Sequence, residues 1–103
     1  MARPPRIDYP GAWHHVMNRG RRHEPIFVTD HDAFAFMSAA EDTAVQFGLE
    51  LHAYALMPNH YHLLVRSVRG NLSRAMRHLG ASFTQETNRT HHWDGAIFRG
   101  RFR

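Results

Sequence analysis

The sequence predicts an α+β domain of the split βαβ, ferredoxin-like kind, with a four-stranded antiparallel sheet and two helices on one face. Two stretches repeat apolar residues at helical spacing, four others read as strands, and the order is strand, helix, strand, strand, helix, strand. No linker or internal repeat divides the 103 residues, a length suited to one domain with a modest core.

A Pro-rich lead occupies residues 1–11, and Ala12 to Asn18 alternate as a first strand. Arg19-Gly20-Arg21-Arg22-His23 is a basic loop. Thr29 and Asp30 are helix N-cap residue types, and Ala33, Phe34, Met37, Ala40, Ala44 and Phe47 recur at helical spacing until Gly48 offers a C-terminal stop. Leu49 to Met57 and His60 to Arg66 make two strands close enough to pair antiparallel. Pro58 fixes φ negative and excludes a type I′ turn, so a bulged or longer connection is expected between them. Asn71 can cap a second helix with Leu72, Ala75, Met76, Leu79 and Phe83 as its buried stripe and Arg74, Arg77 and His78 opposite. Thr87 to Asp94 reads as a polar connection. From Ile97 to Arg103, Phe98, Gly100 and Phe102 alternate with Arg99, Arg101 and Arg103, a last strand with one apolar and one cationic face.

His60 and His62 stand one residue apart at the start of a strand, so they share a face. Two neutral imidazoles there can hold one divalent ion, which is half of a metal site. His-x-His arises by chance in a chain with ten histidines. The apolar flanks Tyr54 to Met57 and Leu63 to Val65 favour the functional reading, because polar side chains in such surroundings need partners. If Tyr61, Leu63, Val65, Phe98 and Phe102 pack under the helices, then His60, His62, Arg99, Arg101 and Arg103 emerge together on the open face. His15 lies on the first strand, where it approaches that site or fills the sheet.

The formal net charge is +4, and all thirteen basic residues are arginine. Guanidinium groups match phosphate and stack on bases, which favours nucleic acid as partner. A GC-rich genome would displace lysine equally well. No window approaches the roughly 20 apolar residues of a membrane span, and no apolar stretch follows the N-terminus as in a signal peptide. The absence of cysteine excludes disulfides and thiolate metal sites and fits a reducing cytoplasm.

The stretch Met57-Pro58-Asn59-His60-Tyr61-His62-Leu63-Leu64 resembles the His-hydrophobic-His (HUH) motif of single-tyrosine transposases, the REP-associated tyrosine transposases especially. Tyr9-Pro10-Gly11-Ala12-Trp13-His14-His15-Val16-Met17-Asn18-Arg19-Gly20, Ile26-Phe27, Asn71-Leu72-Ser73-Arg74-Ala75-Met76 and Phe98-Arg99-Gly100-Arg101-Phe102 resemble the same family, in the same order. The resemblance covers nearly the whole chain and implies the same fold. It implies a magnesium or manganese ion on His60 and His62, with zinc an in-vitro alternative, and single-stranded or hairpin DNA as partner. Arg19, Arg21, Arg22, Arg99, Arg101 and Arg103 are the expected DNA-binding residues, His15 is a possible site neighbour, and a homodimer is possible.

In the family a tyrosine on a helix beyond the last strand attacks the phosphate, and that helix supplies the third metal ligand. None of Tyr9, Tyr54 and Tyr61 matches that position, so residues 1–103 are expected to form one HUH transposase-like domain lacking the C-terminal helix that carries the nucleophile. A catalytically inactive single-stranded DNA-binding module is the alternative, and an unrelated His60/His62 metal-dependent hydrolase a third reading.

Overall fold

The structure, a computed structural model, describes residues 7–103, so the first six residues of the Pro-rich lead lie outside the described residues. Strand β1 (Ala12–Arg19) is followed by a single 3-10 turn (Arg21–His23), helix α1 (Asp30–Phe47), strands β2 (Leu49–Met57) and β3 (His60–Ser67), and helix α2 (Leu72–His91). The three strands form one antiparallel sheet in the order β1-β3-β2, which puts the histidine-bearing strand in the middle. Among the described residues, no helix is long and apolar enough to cross a membrane.

Helix α1 starts and stops where its chemistry dictates. The Thr29 hydroxyl accepts from the Asp32 backbone N–H, and the Asp32 carboxylate accepts from the Thr29 N–H, a reciprocal capping box. At the other end Gly48 takes the left-handed conformation with φ 70°, and a Cβ there would stand 2.7 Å from the Arg69 guanidinium. The buried row of α1 is Asp32, Phe36, Ala40 and Thr43; of the expected stripe Ala40 is buried and Met37, Ala44 and Phe47 pack against the core, but Phe34 is exposed. Two phenylalanines two residues apart cannot both face the core of a helix. Phe36 wins because it packs on Tyr61 and Phe83, with ring centroids 4.7 and 5.2 Å away.

The stripe Leu72, Ala75, Met76, Leu79 and Phe83 is buried as expected, but α2 continues through the polar residues Thr87 to His91. Tertiary contacts carry that last turn and a half. Thr87 is buried, and His91 Nε2 lies 2.8 Å from a carboxylate oxygen of Asp32. The two helices are thereby tied end to start.

Residues Pro58 and Asn59 alone join β2 to β3, with Met57 paired to His60. The expected longer connection is not formed. Neither turn residue has positive φ, so the proline is compatible with a tight turn other than type I′. The Pro58 carbonyl accepts from Ile26 N and Phe27 N and the Asn59 carbonyl from Gly20 N, so the turn is bound to the loop beneath it. The irregularity falls instead at Leu51/Ala53, where β2 carries a bulge at His52.

The expected fourth strand is not regular. Arg99 N bonds to Arg19 O, and Arg103 and Met17 exchange both backbone bonds, so residues 97–103 run antiparallel beside β1. Gly20 and Phe98 make an isolated bridge. The pairings Gly20↔Phe98 and Met17↔Arg103 differ by two residues, and Asn18 Nδ2 donates to the Gly100 carbonyl within the gap. Two extra residues at Gly100 and Arg101 break the ladder. Phe98 still reaches the core, its ring centroid 5.8 Å from that of Tyr61.

A polar knot closes the far end of the sheet. Asp8 accepts from Leu72 N at the start of α2, from the Ser67 hydroxyl at the end of β3 and from its neighbour Tyr9 N, and pairs with His14 Nε2 at 2.9 Å. Burial opposes ionisation of Asp8, and of Asp32 at the other helix start, yet these hydrogen bonds outweigh it and hold both carboxyls below the usual aspartate range. A depressed folded-state pKa adds stability that is complete above the unfolded value and is lost as pH falls through the folded one. Asp8→Ala is expected to cost about 2 kcal/mol. Acid titrations followed by circular dichroism should show the wild type losing stability below about pH 4 and Asp8→Ala losing less over that window; equal losses would refute this role of Asp8.

Candidate functional site

The helices cover one face of the sheet and leave the other open. Alternation along β1 sends Ala12, His14, Val16 and Asn18 inward and leaves Trp13, His15, Met17 and Arg19 on the open face. On β3 Tyr61, Leu63 and Val65 are buried, while His60, His62, Leu64 and Arg66 lie on the open side. His60 and His62 therefore share a face, with ring centroids 5.1 Å apart.

His15 joins them from the neighbouring strand. Its Nε2 is 2.9 Å from His62 Nδ1, and the two rings stack with centroids 5.0 Å apart. His60 Nδ1 is 2.8 Å from Asn59 Oδ1, an oxygen that can only accept, so Nδ1 carries a proton and Nε2 is the nitrogen that a metal would take. Partial burial first, then the neighbouring His15 and His60, push the His62 pKa down, which keeps that ring neutral at neutral pH. In the tautomer in which His62 Nδ1–H donates to His15 Nε2, Nε2 of His62 is likewise free to ligate. Neutral, oriented imidazoles are the right chemistry for a divalent transition ion. Among the described residues, no group of three or more His, Cys, Asp or Glu side chains is placed to hold a metal, so these residues fit as a partial donor set.

The expected arginines divide. Arg19 is paired across the sheet with His60. Arg99 and Arg103, opposite Arg19 and Met17, carry the same face outward beyond β1. Arg101 does not join them: the two-residue irregularity puts it beside a cavity of about 750 Å³ on the helix side, with Tyr61, Met76, Arg77, Phe98 and Phe102. Arg21 and Arg22 are exposed in the 3-10 turn rather than on the sheet. The strands contribute one carboxylate to the open face, Glu50, and it is engaged by His52 at 3.0 Å and Arg66 at 3.5 Å.

The tyrosines are elsewhere. Tyr61 lies under α1 and α2, and burial raises its hydroxyl pKa far above the phenol range, so it stays protonated. Tyr54 is paired with Leu63 on the other face, and Tyr9 precedes β1 at the end of the sheet remote from His60. Sequence reasoning did not find the roles of Asn59, which orients His60, or of Asp8. Asn59 stood within the quoted motif and offered a signal; Asp8 offered none.

A family model described as "Transposase IS200 like" matches residues 9–102. Nine chains among solved structures match. One is a REP-associated tyrosine transposase bound to a REP hairpin, at TM-score 0.79 and 18% identity, covering 100% of this chain and 60% of that one. The chain thus spans less than two thirds of that protein's length. Another is a putative transposase from Deinococcus radiodurans R1, at TM-score 0.73 and 19% identity, covering 99% of this chain and 83% of that one. Among curated proteins none matches.

Proposed function

This chain belongs to the IS200-like transposase family, and on that premise we propose that it is the DNA-engaging domain of a transposase that nicks and rejoins single-stranded or hairpin DNA. The observation that carries the proposal is the convergence of His15, His60 and His62 on an open, cation-edged sheet face. The hairpin bound by the structurally similar transposase supports the choice of DNA.

His60 and His62 would hold a magnesium or manganese ion, which supplies Lewis-acid polarisation of the scissile phosphate when bound. Manganese suits imidazole donors at least as well as magnesium. His15 orients His62, Asn59 orients His60, and Arg19, Arg99 and Arg103 neutralise phosphates along the strand. In the cleavage step a tyrosine oxygen attacks the phosphorus and becomes bonded to the 5′ phosphate, while the 3′ oxygen leaves as a hydroxyl. The new ester conserves the energy of the broken bond for rejoining.

We place that tyrosine outside residues 1–103, because Tyr9, Tyr54 and Tyr61 all lie away from the histidines. Residues 97–103 serve as the fourth, edge strand of a ferredoxin-like sheet. The same reading puts the protein in the cytoplasm as a homodimer. A module that binds single strands without cutting is the second reading, and the placement of the three tyrosines favours it for these 103 residues taken alone.

Salt-dependent binding tests the proposal. A hairpin with a single-stranded flank should bind more tightly than duplex DNA, with log K falling about 0.7 per phosphate neutralised for each decade of salt. Arg99→Ala and Arg103→Ala should each reduce that slope, whereas Arg101→Ala should leave it unchanged. Equal affinity for duplex and hairpin, or a salt-independent affinity, would refute the reading.

A further inference from the structure

One aromatic pair on the open face is not explained by packing. Trp13 projects from β1 and is 55% exposed. Its ring meets that of His52, from the opposite edge strand β2, with centroids 4.4 Å apart. The two side chains reach each other across β3, because the bulge at Leu51/Ala53 displaces His52 from the regular alternation of β2. Leu64, beside His15 in the register and itself exposed, and the aliphatic part of Arg66 lie in the strand between them. Tryptophan gains most from burial, and here more than half of it is left in water on a face with no covering element.

The charge around the pair selects the occupant. The only strand carboxylate on this face, Glu50, is engaged by His52 and Arg66, and the remaining charged groups at its edge are Arg19, Arg99 and Arg103. The four carboxylates of α1, Asp30, Asp32, Glu41 and Asp42, are on the helix layer behind the sheet. A flat apolar partner carrying regular negative charge fits such a face. Single-stranded nucleic acid has both, because its unpaired bases offer free π-faces.

We propose that Trp13, backed by His52, is a stacking platform for an unpaired nucleobase of the DNA strand whose phosphate is held at His60 and His62. Trp13 lies on the same face of β1 as Met17 and Arg19, the cross-strand partners of His62 and His60, which stand two to three strand-repeats of roughly 7 Å further along, a span of about two to three nucleotides in an extended strand. The platform acts as a positioning element: a base stacked there fixes which phosphate lies at the histidines. It rests on the DNA-binding reading given above.

Fluorescence in a Trp93→Phe background isolates Trp13, since these are the chain's two tryptophans. A single-stranded oligonucleotide of about ten nucleotides should quench Trp13 emission, and an abasic oligonucleotide of the same length should bind without quenching it. Trp13→Ala should weaken binding of the normal strand about tenfold, equivalent to about 1.4 kcal/mol, and Trp13→Phe should restore most of the loss. The abasic strand should bind Trp13→Ala and wild type equally, which separates stacking from a general disturbance of the sheet. Binding of the normal strand without quenching, or undiminished by Trp13→Ala, would overturn the platform and leave the DNA-binding reading intact. No binding of either strand by the wild type would overturn both.

Discussion

Replacing both His60 and His62 by alanine is expected to reduce manganese binding by at least about 100-fold, more than the 10- to 100-fold that loss of an outer-shell partner typically costs. Electron paramagnetic resonance of free manganese checks this directly, with no need for turnover. The fold should survive, because both rings lie on the open face and contribute little to the core built around Phe36, Leu63 and Phe83. Single replacements separate the contributions. His15→Phe keeps a ring in place but removes the nitrogen 2.9 Å from His62 Nδ1, and should weaken the ion by an outer-shell amount only. If the double variant binds manganese like the wild type, His60 and His62 are not the ligands.

Asp32→Ala is expected to destabilise the domain by about 3 kcal/mol, lowering the melting temperature by about 15 °C. Asp32 is buried to 1% exposure, and its carboxylate accepts from Val28 N, Thr29 N and His91. Removing it leaves two backbone donors without their acceptor and unties α2 from the start of α1. The loss is large because one side chain serves as helix cap and as interhelical tie. Asp32→Asn should retain part of the cap and lose the charge-assisted bond to His91, giving an intermediate melting temperature. A shift under about 3 °C for Asp32→Ala would show that water replaces these bonds at little cost.

These two sites differ in how far they can be read from sequence. Thr29, Asp32 and Gly48 delimit α1 by local chemistry alone, since a cap and its box partner are three residues apart and the stop is a single left-handed residue. His91 lies 59 residues beyond Asp32. Nothing in the polar run Thr87 to Asp94 announces a helix, because the partner that stabilises its last turn comes from another element. The same holds for Phe34 and Phe36: both fit a helical stripe, and only the position of Tyr61 and Phe83 selects the second.

The alternation of β3 alone places His60 and His62 on one face, because a period of two leaves no other choice within a strand. It could not add His15, which reaches His62 only because β1 lies directly beside β3. Nor could it show that the arginines near the C-terminus divide. Alternation from Phe98 to Arg103 predicts one cationic face, and two extra residues at Gly100 and Arg101 send Arg101 to the helix side.

The sequence by itself determined three strands and two helices in their order, the family resemblance and the shared face of His60 and His62, because each depends on residues close together in the chain. Tertiary structure alone decided which strand lies beside the histidines, how the bulge at His52 brings its ring to Trp13, and where the edge segment breaks register. Those outcomes depend on contacts between distant residues, whose energies no local pattern records.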